Sequence, residues 1–120
     1  MAEYLPLYKP GQALTLKASA VTVAGQVVMV TGVNTVGPCA AASVKVVGVA
    51  GFDAAINDYV TVYAGGVQVC TASGGITAGD PVVAGAAGTV VSSAVPPLGQ
   101  RVGVALNTAV DTAKVRVLFT

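Results

Sequence analysis

Glycine- and proline-centred turn signals interrupt this chain so often that a long helix has nowhere to form. They fall at Ala24-Gly25, Val36-Gly37-Pro38, Gly65-Gly66, Gly74-Gly75, Ala78-Gly79-Asp80-Pro81, Ala87-Gly88 and Pro96-Pro97. Over much of the chain the spacing is about eight to twelve residues, which belongs to sandwiches and barrels. Glycine reaches turn conformations that other residues adopt only at a cost, and proline stops helix propagation. Between the turns the sequence is rich in valine and alternates with period two, as in Tyr59-Val60-Thr61-Val62-Tyr63, Val67-Gln68-Val69 and Lys114-Val115-Arg116-Val117-Leu118-Phe119. Phe52 to Asp58 has room for one helical turn and Ala40 to Ala42 is ambiguous, but neither is long enough for a stable helix. The expected fold is all-β, a small β-barrel or sandwich over residues 13–120, with an extended N-terminal arm over residues 1–12.

The two halves resemble each other. Val23-Ala24-Gly25-Gln26-Val27-Val28 matches Thr77-Ala78-Gly79-Asp80-Pro81-Val82, and Val47-Gly48-Val49-Ala50 matches Val102-Gly103-Val104-Ala105. At the same offset Val60-Thr61-Val62 falls on Val115-Arg116-Val117. A duplication would give two similar β-units packed face to face.

The first dozen residues differ from the rest. Tyr4, Leu5, Pro6, Leu7, Tyr8, Lys9 and Pro10 combine aromatic and aliphatic anchors with prolines that favour extended geometry. A disordered tail is normally polar, and this segment holds two of the chain's four tyrosines. Those seven residues are the expected contact with a neighbouring subunit or a larger assembly.

Charge is scarce. Apolar residues make up 54% of the 120 positions and charged residues 9%, against about 25% charged in an ordinary domain. So few charges leave apolar surface on a monomer, which usually marks an interaction surface. The net charge of +1 gives little protection against self-association, and the six scattered Lys and Arg residues form no basic stripe for nucleic acid. Every apolar run is cut within about ten positions, short of the roughly 20 residues of a spanning helix, so no membrane partner is expected. The Met1-Ala2-Glu3-Tyr4-Leu5-Pro6 start lacks the basic and apolar regions of a signal peptide, and synthesis in the cytoplasm is expected.

Chemistry has little to stand on. There is no histidine, so no imidazole base and no Ser-His or Cys-His nucleophile. The carboxylates Glu3, Asp53, Asp58, Asp80 and Asp111 lie mostly beside turn or terminal signals and read as turn stabilisers. Cys39 and Cys70 alone do not make a zinc site; they read as small reduced residues in or near the core, with a disulfide between them left open. Gly65-Gly66 separates two strand patterns and reads as a hairpin turn rather than a phosphate loop, which should lead into a helix. No catalytic residue, cofactor or metal is expected.

Four stretches together carry a family resemblance: Ala2-Glu3-Tyr4-Leu5-Pro6-Leu7-Tyr8-Lys9-Pro10-Gly11, Val60-Thr61-Val62-Tyr63-Ala64-Gly65-Gly66-Val67, Ile76-Thr77-Ala78-Gly79-Asp80-Pro81-Val82-Val83 and Gly99-Gln100-Arg101-Val102-Gly103-Val104-Ala105-Leu106. In order and spacing they resemble the capsid cement, or head-decoration, proteins of tailed phages. The resemblance implies a β-rich fold with an N-terminal arm and a homo-oligomer, often a trimer. It also implies a seat on the outer capsid surface against the major capsid protein, stabilising the expanded shell. It supplies no catalytic residues. The rival is another structural β-module of a virion or surface layer, a fibre or tail component. A biotinyl-type carrier would need a lysine at a hairpin tip, and Gly65-Gly66 and Ala87-Gly88 have none.

Overall fold

The computed structural model describes residues 4–9 and 11–120. Ten strands follow in chain order: β1 (Leu14–Ala18), β2 (Val27–Gly32), β3 (Thr35–Pro38), β4 (Val46–Ala50), β5 (Tyr59–Tyr63), β6 (Val67–Thr71), β7 (Pro81–Ala84), β8 (Val90–Ser92), β9 (Arg101–Ala105) and β10 (Lys114–Phe119). A three-residue 3₁₀ turn at Ala86–Gly88 lies between β7 and β8. Residues 52–58 form turns and a single bridge rather than a helical turn.

The strands divide into two units with one plan. In the first, β1-β3-β2-β4-β5 close into a barrel through the parallel β1–β3 pair, with Ala18 opposite Val36. In the second, β6-β10-β9-β7-β8 repeat the same neighbours as an open sheet whose end strands meet at one parallel bridge, Ala72 to Val90. That bridge stands where Ala18 and Val36 meet in the first unit. The equivalence reaches single hydrogen bonds. Gly25 N–H donates to Ala50 O and Gly79 N–H to Ala105 O, while the Thr22–Ala54 bridge recurs as Ile76–Ala109.

The cores match in the same way. Val28, Val36, Ala50, Val60 and Val62 fill the barrel, and Val82, Val90, Ala105, Val115 and Val117 take those places in the second unit. The two units do not meet as stacked faces. Val27, Cys39 and Val49, on the outside of the first barrel, pack into the core of the second. Ala42 N–H donates to Ala84 O and Gly88 N–H to Cys39 O across the junction. The first unit's wall thus covers the side where the second sheet barely closes. Apolar area buried there stabilises the pair at roughly 25 cal/mol per Å². It also explains the unbroken run Val27-Val28-Met29, whose strand is buried on both sides.

Two local expectations change. Val36-Gly37-Pro38 is strand, not turn: Pro38 ends β3, where a missing N–H is tolerated, and the reversal occurs earlier, at Asn34 (φ 53). Gly65 and Gly66 both have positive φ, 72 and 67, but they form no hairpin. Both edges of β5 are already occupied by β1 and β4, so β6 has no edge to join and pairs with β10. In β6, Cys70 faces the core and Val67 and Val69 face outward, because Cys70 lies opposite the fully buried Val115.

Candidate functional site

Tyr4, Leu5, Pro6, Leu7, Tyr8 and Lys9 carry no strand and are all exposed; Pro10 lies outside the described residues. Tyr4 is 87% and Leu7 95% accessible, so these side chains are offered outward rather than folded onto their own barrel. Tyr8 is different. Its hydroxyl accepts from Thr15 N–H at 3.3 Å and donates to Thr15 O at 3.4 Å. Thr15 pairs with Thr61 on the β5 side, and the phenol satisfies backbone groups on its other edge, which would otherwise be a template for strand addition. Tyr8 therefore pins the segment at its base. A cleft of about 400 Å³ runs beside the pin, lined by Leu7, Tyr8, Leu16, Lys17, Val33 and Tyr59.

A second exposed apolar surface was not singled out by the sequence reading. The Thr22–Ala54 bridge ties two loops into a tip, held by the Thr22 N–H to Ala54 O (2.9 Å) and Ala54 N–H to Thr22 O (2.8 Å) bonds. Val21, Val23, Phe52 and Ile56 stand exposed around it. Their signal in the sequence was the repeat: at the same places the second half has Gly75, Thr77, Asn107 and Asp111.

Three carboxylates hold loops and turns. Asp53 Oδ1 accepts from Ala24 N–H at 2.9 Å, and Asp111 Oδ1 from Gly74 N–H at 2.7 Å. Asp80 accepts from Thr77 N–H at 3.0 Å and Ser92 Oγ at 2.8 Å, which hold its carboxyl below its ordinary value of 3.8. Cys39 and Cys70 are buried, free thiols. Burial pushes the Cys70 thiol up to about 12, reinforced by Cys39 beside it. Burial likewise raises Cys39, whose Sγ donates to Gly85 O at 3.2 Å. Such thiols have little thiolate and little reactivity. Among the described residues no cluster of three or more His, Cys, Asp or Glu could hold a metal ion, and no helix is long and apolar enough to cross a membrane. The described residues expose apolar side chains at two places, the N-terminal segment and the Thr22–Ala54 tip.

No curated protein matches the chain. Among solved structures it is similar to the head fibre gp8.5 N base of bacteriophage phi29, at 21% identity and a TM-score of 0.72, covering 91% of this chain and 93% of that one. That likeness shows the fold: the two-unit architecture is shared over nearly the whole length of both chains. The sequence profile of the phage cement proteins matches residues 8–119. With that match over both β-units, the chain belongs to the phage cement protein family, a family of structural proteins of the phage head.

Proposed function

We propose that this protein binds the outer surface of an expanded phage head as a homotrimer, stabilises the shell, and catalyses nothing. The observation that carries the reading is the family match across residues 8–119. The exposed segment of Tyr4, Leu5, Pro6, Leu7, Tyr8 and Lys9, with Pro10 following, supports a contact arm on the major capsid protein or a neighbouring subunit. The phi29 neighbour, described as a head fibre base, supports attachment to a head. The domain division follows: an arm over residues 1–12 and a β-domain over 13–120, made in the host cytoplasm and used on the virion.

The physics suits the role. A trimer engaging three capsid subunits gains effective concentration, which raises overall binding by roughly 10²–10⁴ without new contacts. A ligand that binds only the assembled shell stabilises it by mass action. The test is co-sedimentation with expanded capsids. Removing residues 2–7 leaves the Tyr8 pin in place, so the β-domain should stay folded while capsid binding drops at least tenfold. Undiminished binding by the truncated chain would remove the arm from the mechanism.

A further inference from the structure

The two units provide an internal control for what their turns require. In the second unit, Asn107 Oδ1 accepts from Arg116 N–H and Asp111 Oδ1 from Gly74 N–H, each at 2.7 Å. The equivalent residues of the first unit, placed by the Thr22–Ala54 and Ile76–Ala109 bridges, are Phe52 and Ile56. Neither has an atom that could accept such a bond. Val21 and Val23 likewise stand where the second unit has Gly75 and Thr77. The second tip keeps two exposed aliphatic residues, Leu106 and Val110, but interleaves them with these polar groups. The fold thus accepts polar residues at three of these positions and glycine at the fourth. The first unit forgoes two turn-holding bonds and exposes Val21, Val23, Phe52 and Ile56 at 68, 48, 47 and 58%. Turn stability does not account for that exchange, whereas burial against a partner does.

The same chain carries a matching surface. On the outer side of the β6–β10 ladder, Leu118 lies opposite Val67, Arg116 opposite Val69 and Lys114 opposite Thr71. Three exposed aliphatic side chains there adjoin two exposed cations. The tip has the opposite charge on the same loop as Phe52 and Ile56, in the exposed Asp53 and Asp58. We infer that the apolar tip of one copy docks on the β6–β10 strip of the next, with Asp53 and Asp58 facing Lys114 and Arg116. Apolar area supplies the affinity, and the charges set orientation and encounter rate. Tip and strip are different surfaces, so the contact is heterologous and closes only as a ring. The inference rests on the self-association proposed above and specifies its interface and polarity.

Complementation tests it. Phe52→Asn/Ile56→Asp installs residues that the second unit already carries at these places, so folding should be retained, as circular dichroism would show. If the double variant misfolds, Phe52→Asn alone serves. Arg116→Glu/Leu118→Asp disables the strip. By sedimentation at micromolar concentration, each variant alone should be monomeric. An equimolar mixture should form a heterodimer, because one intact tip then meets one intact strip. A tip variant that keeps the wild-type mass, a mixture that stays monomeric, or a monomeric wild type overturns the interface. A tip variant that keeps that mass but no longer binds expanded capsids also overturns it, and leaves the capsid-binding reading standing. A wild type that assembles in this way but ignores capsids sinks the functional reading instead.

Discussion

Asp80 and Gln26 occupy the same place in the two units and do the same work by different means. Gln26 Oε1 accepts from Val23 N–H at 2.8 Å, and Asp80 Oδ2 accepts from Thr77 N–H at 3.0 Å. Only the second is charged. Because the folded carboxyl is held below its ordinary value of 3.8, the folded state binds protons less readily than the unfolded chain. Its stabilisation is full above that ordinary value and is lost as pH falls through the lowered one. Asp80→Gln should therefore fold at neutral pH and lose less stability than wild type on acidification; urea melts at neutral and acid pH would show it. Equal losses would mean that Asp80 does not control the acid limb. The cysteines carry the opposite sign. With Cys70 raised from 9.0 to about 12, its contribution is complete below 9.0 and disappears as pH rises towards 12. Native protein at mildly alkaline pH should resist thiol alkylation, and both thiols should react once denaturant is added. Rapid labelling of the native state would contradict the burial of both residues.

At the scale of elements, the repeated Val-Gly-Val-Ala segment has a steric cause. A Cβ on Gly48 would run into the carbonyl oxygen of Tyr63, and one on Gly103 into that of Leu118. β4 and β9 lie where the following strand crosses too closely for any side chain. Gly48→Ala and Gly103→Ala should each destabilise by about 1–3 kcal/mol, as overpacking does, and by similar amounts if the units are equivalent; thermal melts of the two variants decide. β10 follows its alternation: Val115 and Val117 are fully buried, while Lys114, Arg116 and Leu118 are exposed. Phe119, which the alternation puts on the face of Val115 and Val117, is only partly buried against the core. Val117→Ala should cost about 2–3 kcal/mol from lost transfer and cavity terms, whereas Phe119→Ala should cost less than the roughly 3–5 kcal/mol of a fully buried ring. Arg116→Ala should leave the fold's stability within about 0.5 kcal/mol. Chemical denaturation ranks the three, and a larger loss for Arg116 than for Val117 would invert the assigned faces.

At the scale of the molecule, the accessible surface is 6741 Å², above the roughly 5,900 Å² that scaling gives for a compact monomer of this mass. Exposed apolar side chains stand on the arm (Tyr4, Leu5, Leu7), the tip (Val21, Val23, Phe52, Ile56) and the β6–β10 strip (Val67, Val69, Leu118). An interface made from such surface should survive high salt, since screening weakens charge pairs and leaves apolar contacts intact or stronger. Light scattering should show the same oligomer in low and high salt, with assembly slower in high salt as steering is lost. Dissociation by salt would make the interface electrostatic and count against this picture.

The sequence by itself determined the all-β class, the turn-punctuated strands, the two-unit repeat and the apolar, proline-containing character of the N-terminal segment. These follow from local chemistry: valine alternation, glycine and proline at reversals, and a missing charge complement. It also placed Asp80 at its turn, because the Thr77 N–H it accepts from is three residues away, whereas Asp53 and Asp111 hold loops brought to them from 29 and 37 residues away. Tertiary structure decided what local pattern leaves degenerate. Gly65 and Gly66 both have positive φ yet make no hairpin, because β1 and β4 occupy both edges of β5. Val67-Gln68-Val69 alternates, but its buried parity was fixed by β10 across the ladder. The wall of the first unit, rather than a disulfide or a longer strand, covers the second sheet's seam. Tyr8, in sequence one more arm residue, became the arm's anchor because its hydroxyl reaches the open edge of β1. Each of these outcomes depends on which strand edges are still free when another segment arrives, and edge occupancy is a property of the assembled sheet, not of any stretch of sequence.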